Sequence, residues 1–289
     1  MKSFGLSLGV LCASLCGLRA QVSVEIVMDQ EQFLPGEALP VAVRVTNRSG
    51  QTLNLGQGRW LTFTVETRDG AVVKRTGEVP VEEPFTLDSS KRATVRADLE
   101  PYFTLRQPGR YKITATVTIN EWSRQISSDP KEFDIIQGSK LWEQEVGLPK
   151  APGATNLVPE LRKYTLHEAN YLGKHLMLYV QVTGASGKIY RVLPIGQMLS
   201  FGQPQAQVDR LSNLHVLYLD GPHTFNYTAV DPDGNVFVRQ KYDFDNSSRP
   251  QLKVDAEGNF TVAGGTRRIT PNDVPPPKAS ADNTRPPAE

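Results

Sequence analysis

One stretch decides the fold of the first half of the chain, Tyr111-Lys112-Ile113-Thr114-Ala115-Thr116-Val117-Thr118-Ile119. Its odd-numbered side chains are apolar or aromatic, and the side chains between them are lysine or threonine. Successive side chains of a β-strand point to opposite faces, so this period of two predicts a long strand with one buried and one wet face. The turn pair Pro108-Gly109 stands just before it and marks where the strand begins.

The same alternation extends toward the N-terminus. It recurs in three earlier stretches, whose apolar members are Val22, Val24, Ile26 and Met28, then Val41, Val43 and Val45, then Leu61, Phe63 and Val65. Turn pairs such as Pro35-Gly36 and Asp69-Gly70 separate the stretches. Short strands with turn signals about every 8–12 residues predict an antiparallel β-sandwich over residues 21–137.

The second half of the chain is also predicted to be β, over residues 160–265, so the fold class is all-β. Two apolar stretches, 176–182 and 188–193, flank Gly184–Gly187 as a hairpin. Three more, 214–219, 224–230 and 236–244, form a meander, and 252–254 with 259–262 form a last hairpin. The start of this domain is ambiguous, because Pro159 favours a short helix while Tyr164-Thr165-Leu166 favours a strand.

Two segments carry little alternation. Residues 138–159 are rich in glycine and proline and are interpreted as an ordered linker, with Leu141 and Trp142 packing at the domain junction. Residues 266–289 are rich in proline and hold few large apolar side chains. Such a segment cannot bury enough surface to offset its conformational entropy, so a disordered tail is predicted there.

Two motifs of the first domain resemble a known family. The run from Phe33 to Asn47, which contains Pro35-Gly36-Glu37, resembles the opening of immunoglobulin-like modules in macroglobulin-type and proteinase-inhibitor-like bacterial proteins. The run Leu105–Ala115 resembles their penultimate strand, where a tyrosine at the strand start reaches a backbone group across the corner. The resemblance implies an immunoglobulin-like sandwich; the chain as a whole resembles secreted bacterial proteins whose function is uncharacterised.

The composition and the N-terminal residues indicate the cellular compartment and the class of partner to be expected. The chain has 289 residues and a formal charge of +1, which gives no reason to expect nucleic acid as a partner. Residues 1–20 combine one lysine, a short apolar run and Leu18-Arg19-Ala20, which predicts a signal peptide and a secreted or periplasmic protein without a transmembrane anchor. Both cysteines, Cys12 and Cys16, lie in that segment, so thiol chemistry is excluded from the mature chain.

Catalysis and metal binding find little support in the sequence. The four histidines, His167, His175, His215 and His223, all lie in the second domain. His215 and His223 flank one hairpin turn, but the predicted register separates their rings by several residues. No metal site and no cofactor are therefore predicted.

A hydrolase remains an alternative, on the condition that His175, His215 or His223 meets Asp220 or Asp231 in one pocket. The run Asp231–Asn235 is interpreted as a glycine turn, because Val236 stands where a helix–loop–helix calcium loop needs glycine.

The remaining candidates for binding are three aromatic residues. Trp122 ends the long strand where the alternation breaks, and Tyr102 and Phe103 lie in a proline-flanked segment. Rings exposed at the end of a sandwich would stack on sugars or anchor protein partners, whereas burial between the sheets or at the domain junction is the favoured alternative. The sequence therefore predicts a non-enzymatic binding or scaffold protein of the cell envelope whose ligand is a protein or a glycan. A macroglobulin-like proteinase-inhibitor module is the other alternative.

Overall fold

The computed structural model describes residues 21–81, 84–149, 160–244, 248–255 and 258–274. Within these ranges the chain is almost entirely β, and its only helical elements are the short 3-10 turns Glu100–Tyr102 and Asn120–Trp122. The predicted all-β fold is confirmed. None of the helical elements in the described part of the chain is long and apolar enough to cross a membrane. The predicted signal peptide, residues 1–20, lies outside the described residues.

The first domain is a two-sheet sandwich. Its strands are β1 (Val22–Val27), β2 (Gln32–Phe33), β3 (Pro40–Asn47), β4 (Leu53–Leu55), β5 (Leu61–Thr67), β6 (Phe85–Leu87), β7 (Arg92–Asp98), β8 (Gly109–Ile119), β9 (Arg124–Ser127) and β10 (Lys131–Ile135). One sheet has the order β1-β3-β7, and the other has the order β2-β10-β8-β5 with β9 also paired to β8. The inward side chains of both sheets form one apolar core, which includes Val43, Ile113 and Val117.

The long strand behaves as its alternation predicts. In β8 the side chains of Tyr111 and Ile119, and every second one between them, are buried, while those between are partly exposed. The Tyr111 hydroxyl donates a hydrogen bond to the Gln107 carbonyl at 2.7 Å, which is the expected corner contact. The strand therefore fixes the core on one face and a corner at its start.

The second domain stacks two larger sheets. Its strands are β11 (Ser139–Gly147), β12 (Leu161–Tyr171), β13 (His175–Gly184), β14 (Ile189–Met198), β15 (Gln205–Val208), β16 (Leu214–Gly221), β17 (Thr224–Val230), β18 (Val236–Asp243), β19 (Gln251–Val254), β20 (Phe260–Ala263) and β21 (Thr266–Arg268). The sheet β11-β12-β13-β14 packs on the sheet β15-β16-β17-β18-β21, and the hairpin β19-β20 covers the other face of the latter. Burial on both faces explains why β16 reads as a continuous apolar run.

The structure corrects three boundaries. The segment 139–147, predicted as linker, is the edge strand β11, and Trp142 packs on the core of the second domain rather than at the junction. The ambiguous start of the domain is the strand β12. The predicted disordered tail includes the strand β21, which pairs with β18, and Val274, which pairs with Arg239. Residues 150–159 and 275–289 lie outside the described ranges.

The two domains meet at the turn Pro35-Gly36-Glu37. The backbone of Glu37 forms a parallel bridge with Val192 on the edge strand β14. Around it, Leu34 and Ile136 of the first domain pack with Tyr179, Val192 and other apolar side chains of the second. The Glu37 carboxylate is buried and accepts hydrogen bonds from the Leu34 N–H at 2.8 Å and from Gln30 Nε2 at 3.0 Å.

Replacing Glu37 with glutamine is expected to flatten the pH dependence of stability. Burial raises the pKa of Glu37 from 4.5 to about 6, so the folded protein holds this proton more tightly than the unfolded chain does. The resulting stabilisation, about 2 kcal/mol, is complete below pH 4.5 and is lost as the pH rises through about 6. Urea unfolding of Glu37→Gln between pH 4 and 7 measures this, with the exposed Glu145→Gln as the matched control. An unchanged pH profile in Glu37→Gln would contradict the assignment.

Candidate functional site

The strand β5 forms the edge of its sheet, and its peptide groups alternate between paired and outward-facing. At its two ends, Trp60 C=O accepts from Thr118 N–H at 2.7 Å and Arg68 N–H donates to Arg110 C=O at 3.0 Å. Trp60 and Arg68 both have even numbers, so the even-numbered residues of β5 direct their N–H and C=O groups toward β8. The odd-numbered groups, those of Leu61, Phe63, Val65 and Thr67, therefore face away from the sheet.

The chain covers only part of this outward row. Val73 N–H donates to Val65 C=O at 2.8 Å, and Thr67 N–H donates to Ala71 C=O at 2.9 Å. Beyond Val73 the covering segment leaves β5 and joins the segment before β8, where Arg75 forms a bridge with Phe103. Across the ranges that the structure describes, the outward peptide groups of Leu61 and Phe63 and the N–H of Val65 have no main-chain partner.

A groove opens where the two segments diverge. We call it the edge groove and define it by β5 on one side and by Arg59, Val72–Arg75 and Phe103 on the other; its volume is about 480 Å³. Val72 is 69% exposed. Arg59 forms an ion pair with Glu78, whereas the exposed Lys74 and Arg75 have no side-chain ion pair or hydrogen bond within the described residues. The groove therefore offers main-chain hydrogen bonds beside two uncompensated positive charges.

The three aromatic residues that the sequence singled out differ in position. Phe103 is 5% exposed and lines the groove with a buried ring, which agrees with the burial alternative for this residue. Tyr102 and Trp122 are half-buried against the core of the first domain. Tyr102 flanks the segment that closes the groove, because its carbonyl accepts from Thr76 N–H at 2.9 Å. Trp122 is not part of the groove lining.

The sequence pattern did not point to Lys74, Arg75 or the open edge. The side chains of β5 alternate as they would in a central strand. The residue pattern of one strand does not show which strands lie beside it in the sheet. The one available signal was the adjacent pair of cations following Val72-Val73. That signal alone does not distinguish a binding surface from an ordinary solvated one.

His215, the buried histidine of the second domain, belongs to a closed hydrogen-bonded chain. Its Nδ1 lies 2.7 Å from the Tyr227 hydroxyl and its Nε2 lies 3.0 Å from Asp209 Oδ2. Burial lowers the pKa of His215 and raises that of Tyr227, so the neutral ring accepts from the tyrosine and donates to the carboxylate. Phe260 stacks on the imidazole with ring centroids 4.7 Å apart. Both ring nitrogens of His215 therefore have a hydrogen-bond partner, and the ring is packed against Phe260.

The other histidines lie apart from this one. His175 begins β13 and is exposed, His223 is exposed in the β16–β17 turn, and His167 bonds Gln181. Asp231 accepts from the N–H groups of Asp233 and Asn235 as a turn. The residues that the structure describes therefore do not bring a histidine together with Asp220 or Asp231, as the hydrolase alternative requires. They also contain no cluster of three residues suited to a metal ion.

Comparisons with known proteins add little to this geometry. No family model matches the chain, and no curated protein matches it. Among solved structures the chain is similar to Spo0M, a sporulation control protein from Bacillus subtilis, with a TM-score of 0.29 and 9% sequence identity over 61% of this chain and 90% of that one. A likeness this distant carries no argument about function. The resemblance to macroglobulin-type modules stays a prediction.

Replacing His215 with phenylalanine is expected to destabilise the second domain by about 2–4 kcal/mol. The change leaves the Tyr227 hydroxyl without its partner and removes one of the two donors to Asp209 Oδ2, which keeps the Asn213 side chain. Urea unfolding followed by tyrosine fluorescence measures the loss. His175→Phe, at an exposed position, is the control and is expected to stay within about 0.5 kcal/mol of the parent. Equal effects of the two substitutions would contradict a structural role for the His215 chain.

Proposed function

We propose that this chain is an exported, non-catalytic binding protein that takes up an extended, acidic segment of a partner protein at the edge groove. The segment adds to the sheet as a new strand beside β5. The observation that carries the proposal is the outward row of peptide groups at Leu61 and Phe63, which has no main-chain partner within the described residues; Phe63 lines the edge groove together with Lys74 and Arg75.

A strand edge with free N–H and C=O groups is a template for another strand, because each of those groups gains a hydrogen bond when a peptide lies beside it. The outward groups recur at every second residue, which matches the repeat of an extended peptide. Since main-chain bonds do not depend on the identity of the side chains, selectivity must come from the walls. Two positive charges there favour acidic side chains in the bound segment.

A protein partner fits the groove better than a glycan does. Sugar recognition through stacking needs an exposed aromatic face, whereas Phe103 is buried and Tyr102 and Trp122 pack against the core. The edge of β5 instead offers hydrogen-bonding groups in the spacing of a polypeptide. Export is inferred from the apolar leader at residues 1–20 and from the confinement of both cysteines to it.

Binding of an acidic peptide is expected to protect the edge amides. The probe is a dye-labelled Val-Glu-Val-Glu-Val-Glu-Val heptapeptide, titrated into the mature protein by fluorescence anisotropy. Hydrogen exchange at the N–H groups of Leu61 and Phe63 should slow in the complex, because each of them gains an acceptor. The double variant Lys74→Glu/Arg75→Glu should bind about tenfold more weakly, since two attractive contacts become repulsive.

Lys91→Glu makes one such charge change at an exposed position on the other sheet and should leave affinity for the peptide unchanged. The lysine-containing counterpart peptide should prefer the double variant to the parent. Failure of the acidic peptide to bind would overturn the proposal, and so would binding that leaves the amides of Leu61 and Phe63 unprotected. Capture of a glycan that depends on Lys74 and Arg75 would also overturn it and assign the groove to another class of ligand.

A further inference from the structure

A second cavity, independent of the edge groove, lies between the two sheets of the second domain. Its volume is about 360 Å³. The apolar part of its wall comes from β13 and β14 through Met177, Pro194 and Ile195, and the polar part comes from β16 to β18 and from the segment 270–273. A volume of this size falls at the small end of the range for small-molecule sites.

Both carboxylates in the wall already have a cation. Asp220 accepts from Lys241 Nζ at 2.7 Å, and Asn226 and Thr224 also donate to it. Asp273 pairs with Arg267 at 2.7 Å and accepts from the Thr270 hydroxyl. The negative charges of the wall are therefore compensated within the described residues.

Arg239 is a cation of the cavity wall that has no anionic partner among the described residues. It lies on β18 with its backbone bonded to Val274, and its side chain lines the cavity. Its Nε is buried without a hydrogen-bond partner, and within the described ranges the guanidinium forms no ion pair. Arg267 also has a buried Nε without a partner, but its guanidinium is paired with Asp273.

A half-buried guanidinium without an anion costs stability, because desolvation is not offset by a partner. The planar fork of arginine matches a carboxylate through two parallel hydrogen bonds. A monoanion places one negative charge against the one cation of the wall that has no partner among the described residues, whereas a dianion such as hydrogen phosphate brings a second charge that no unpaired cation of this wall balances. The apolar part of the wall gives an attached hydrocarbon group a surface to contact.

We propose that this cavity binds a small organic monocarboxylate, with its carboxylate on Arg239 and its apolar part against Met177 and Pro194. The site does not depend on the edge groove. Gly196 shapes its floor, since a Cβ on this residue would lie 2.3 Å from the Tyr218 hydroxyl, which the Ile195 carbonyl holds at 2.6 Å.

The test uses acetate, lactate and benzoate as probes, with inorganic phosphate for comparison, and measures the melting temperature and the heat of binding of the mature protein. At least one carboxylate is expected to raise the melting temperature by several degrees at saturation. Phosphate at the same concentration and ionic strength is expected to bind at least tenfold more weakly. Lack of binding by all three carboxylates, or equal binding of phosphate, would overturn the proposal.

Two substitutions separate a binding role of Arg239 from a structural one. Arg239→Met should abolish the carboxylate-dependent shift and leave the ligand-free melting temperature unchanged or higher, because it removes an uncompensated cation. Arg239→Lys keeps the charge but loses the planar fork, and it should weaken binding at least tenfold. Lys253→Met, at an exposed position of the same domain, should change neither quantity. A lower ligand-free melting temperature in Arg239→Met, with the carboxylate-dependent shift retained, would show that Arg239 serves only the fold.

Discussion

The pairing of main-chain groups at sheet edges is the constraint on which the rest of this structure depends. In a sandwich, each outer strand has one row of N–H and C=O groups without a neighbouring strand. Such a row is covered by another segment, protected by charged side chains or used to bind a partner. The edge of β14 is met by the first domain through the bridge from Glu37 to Val192. The edge of β5 is paired with its own chain at Val65 and Thr67, whereas the outward groups of Leu61 and Phe63 have no main-chain partner among the residues that the structure describes.

The pairing of the first domain with the edge of β14 also explains how a local turn joins the two domains. Gly36 has a φ of +82°, which an L side chain rarely adopts, and a Cβ at this position would lie 2.9 Å from Ile189 Cδ1. The turn can therefore approach β14 closely enough for the backbone of Glu37 to pair with it. The carboxylate of Glu37 is buried as a consequence, and desolvation raises the pKa of this group. One short motif thus sets the chain reversal, the junction and a proton-binding group.

Sequence reasoning succeeded where structure depends on local pattern. A period of two is a property of neighbouring residues, so β8 could be predicted with its buried and exposed faces, and the three strands of the meander β16 to β18 could be predicted from their apolar stretches and turns. The strand β11 was missed because an outer strand with a mostly exposed pattern carries little apolar alternation. The sequence left both exposure and burial open for Phe103, and the structure places its ring inside the core, directly after the 3-10 turn at Glu100–Tyr102. The order of strands, and the fact that Lys241 and Arg267 pair with the carboxylates around Arg239, depend on residues distant in sequence, which no local pattern encodes.

The positive charges beside the open edge also limit what can bind there. An exposed edge strand pairs as readily with another copy of itself as with a partner, because the main-chain groups are the same. Two copies meeting at β5 would bring Lys74 and Arg75 of one against those of the other, and like charges in close contact are costly. An acidic strand meets attraction at the same place. Under the proposed function, the same two side chains would both select the partner and disfavour self-association at the edge of β5.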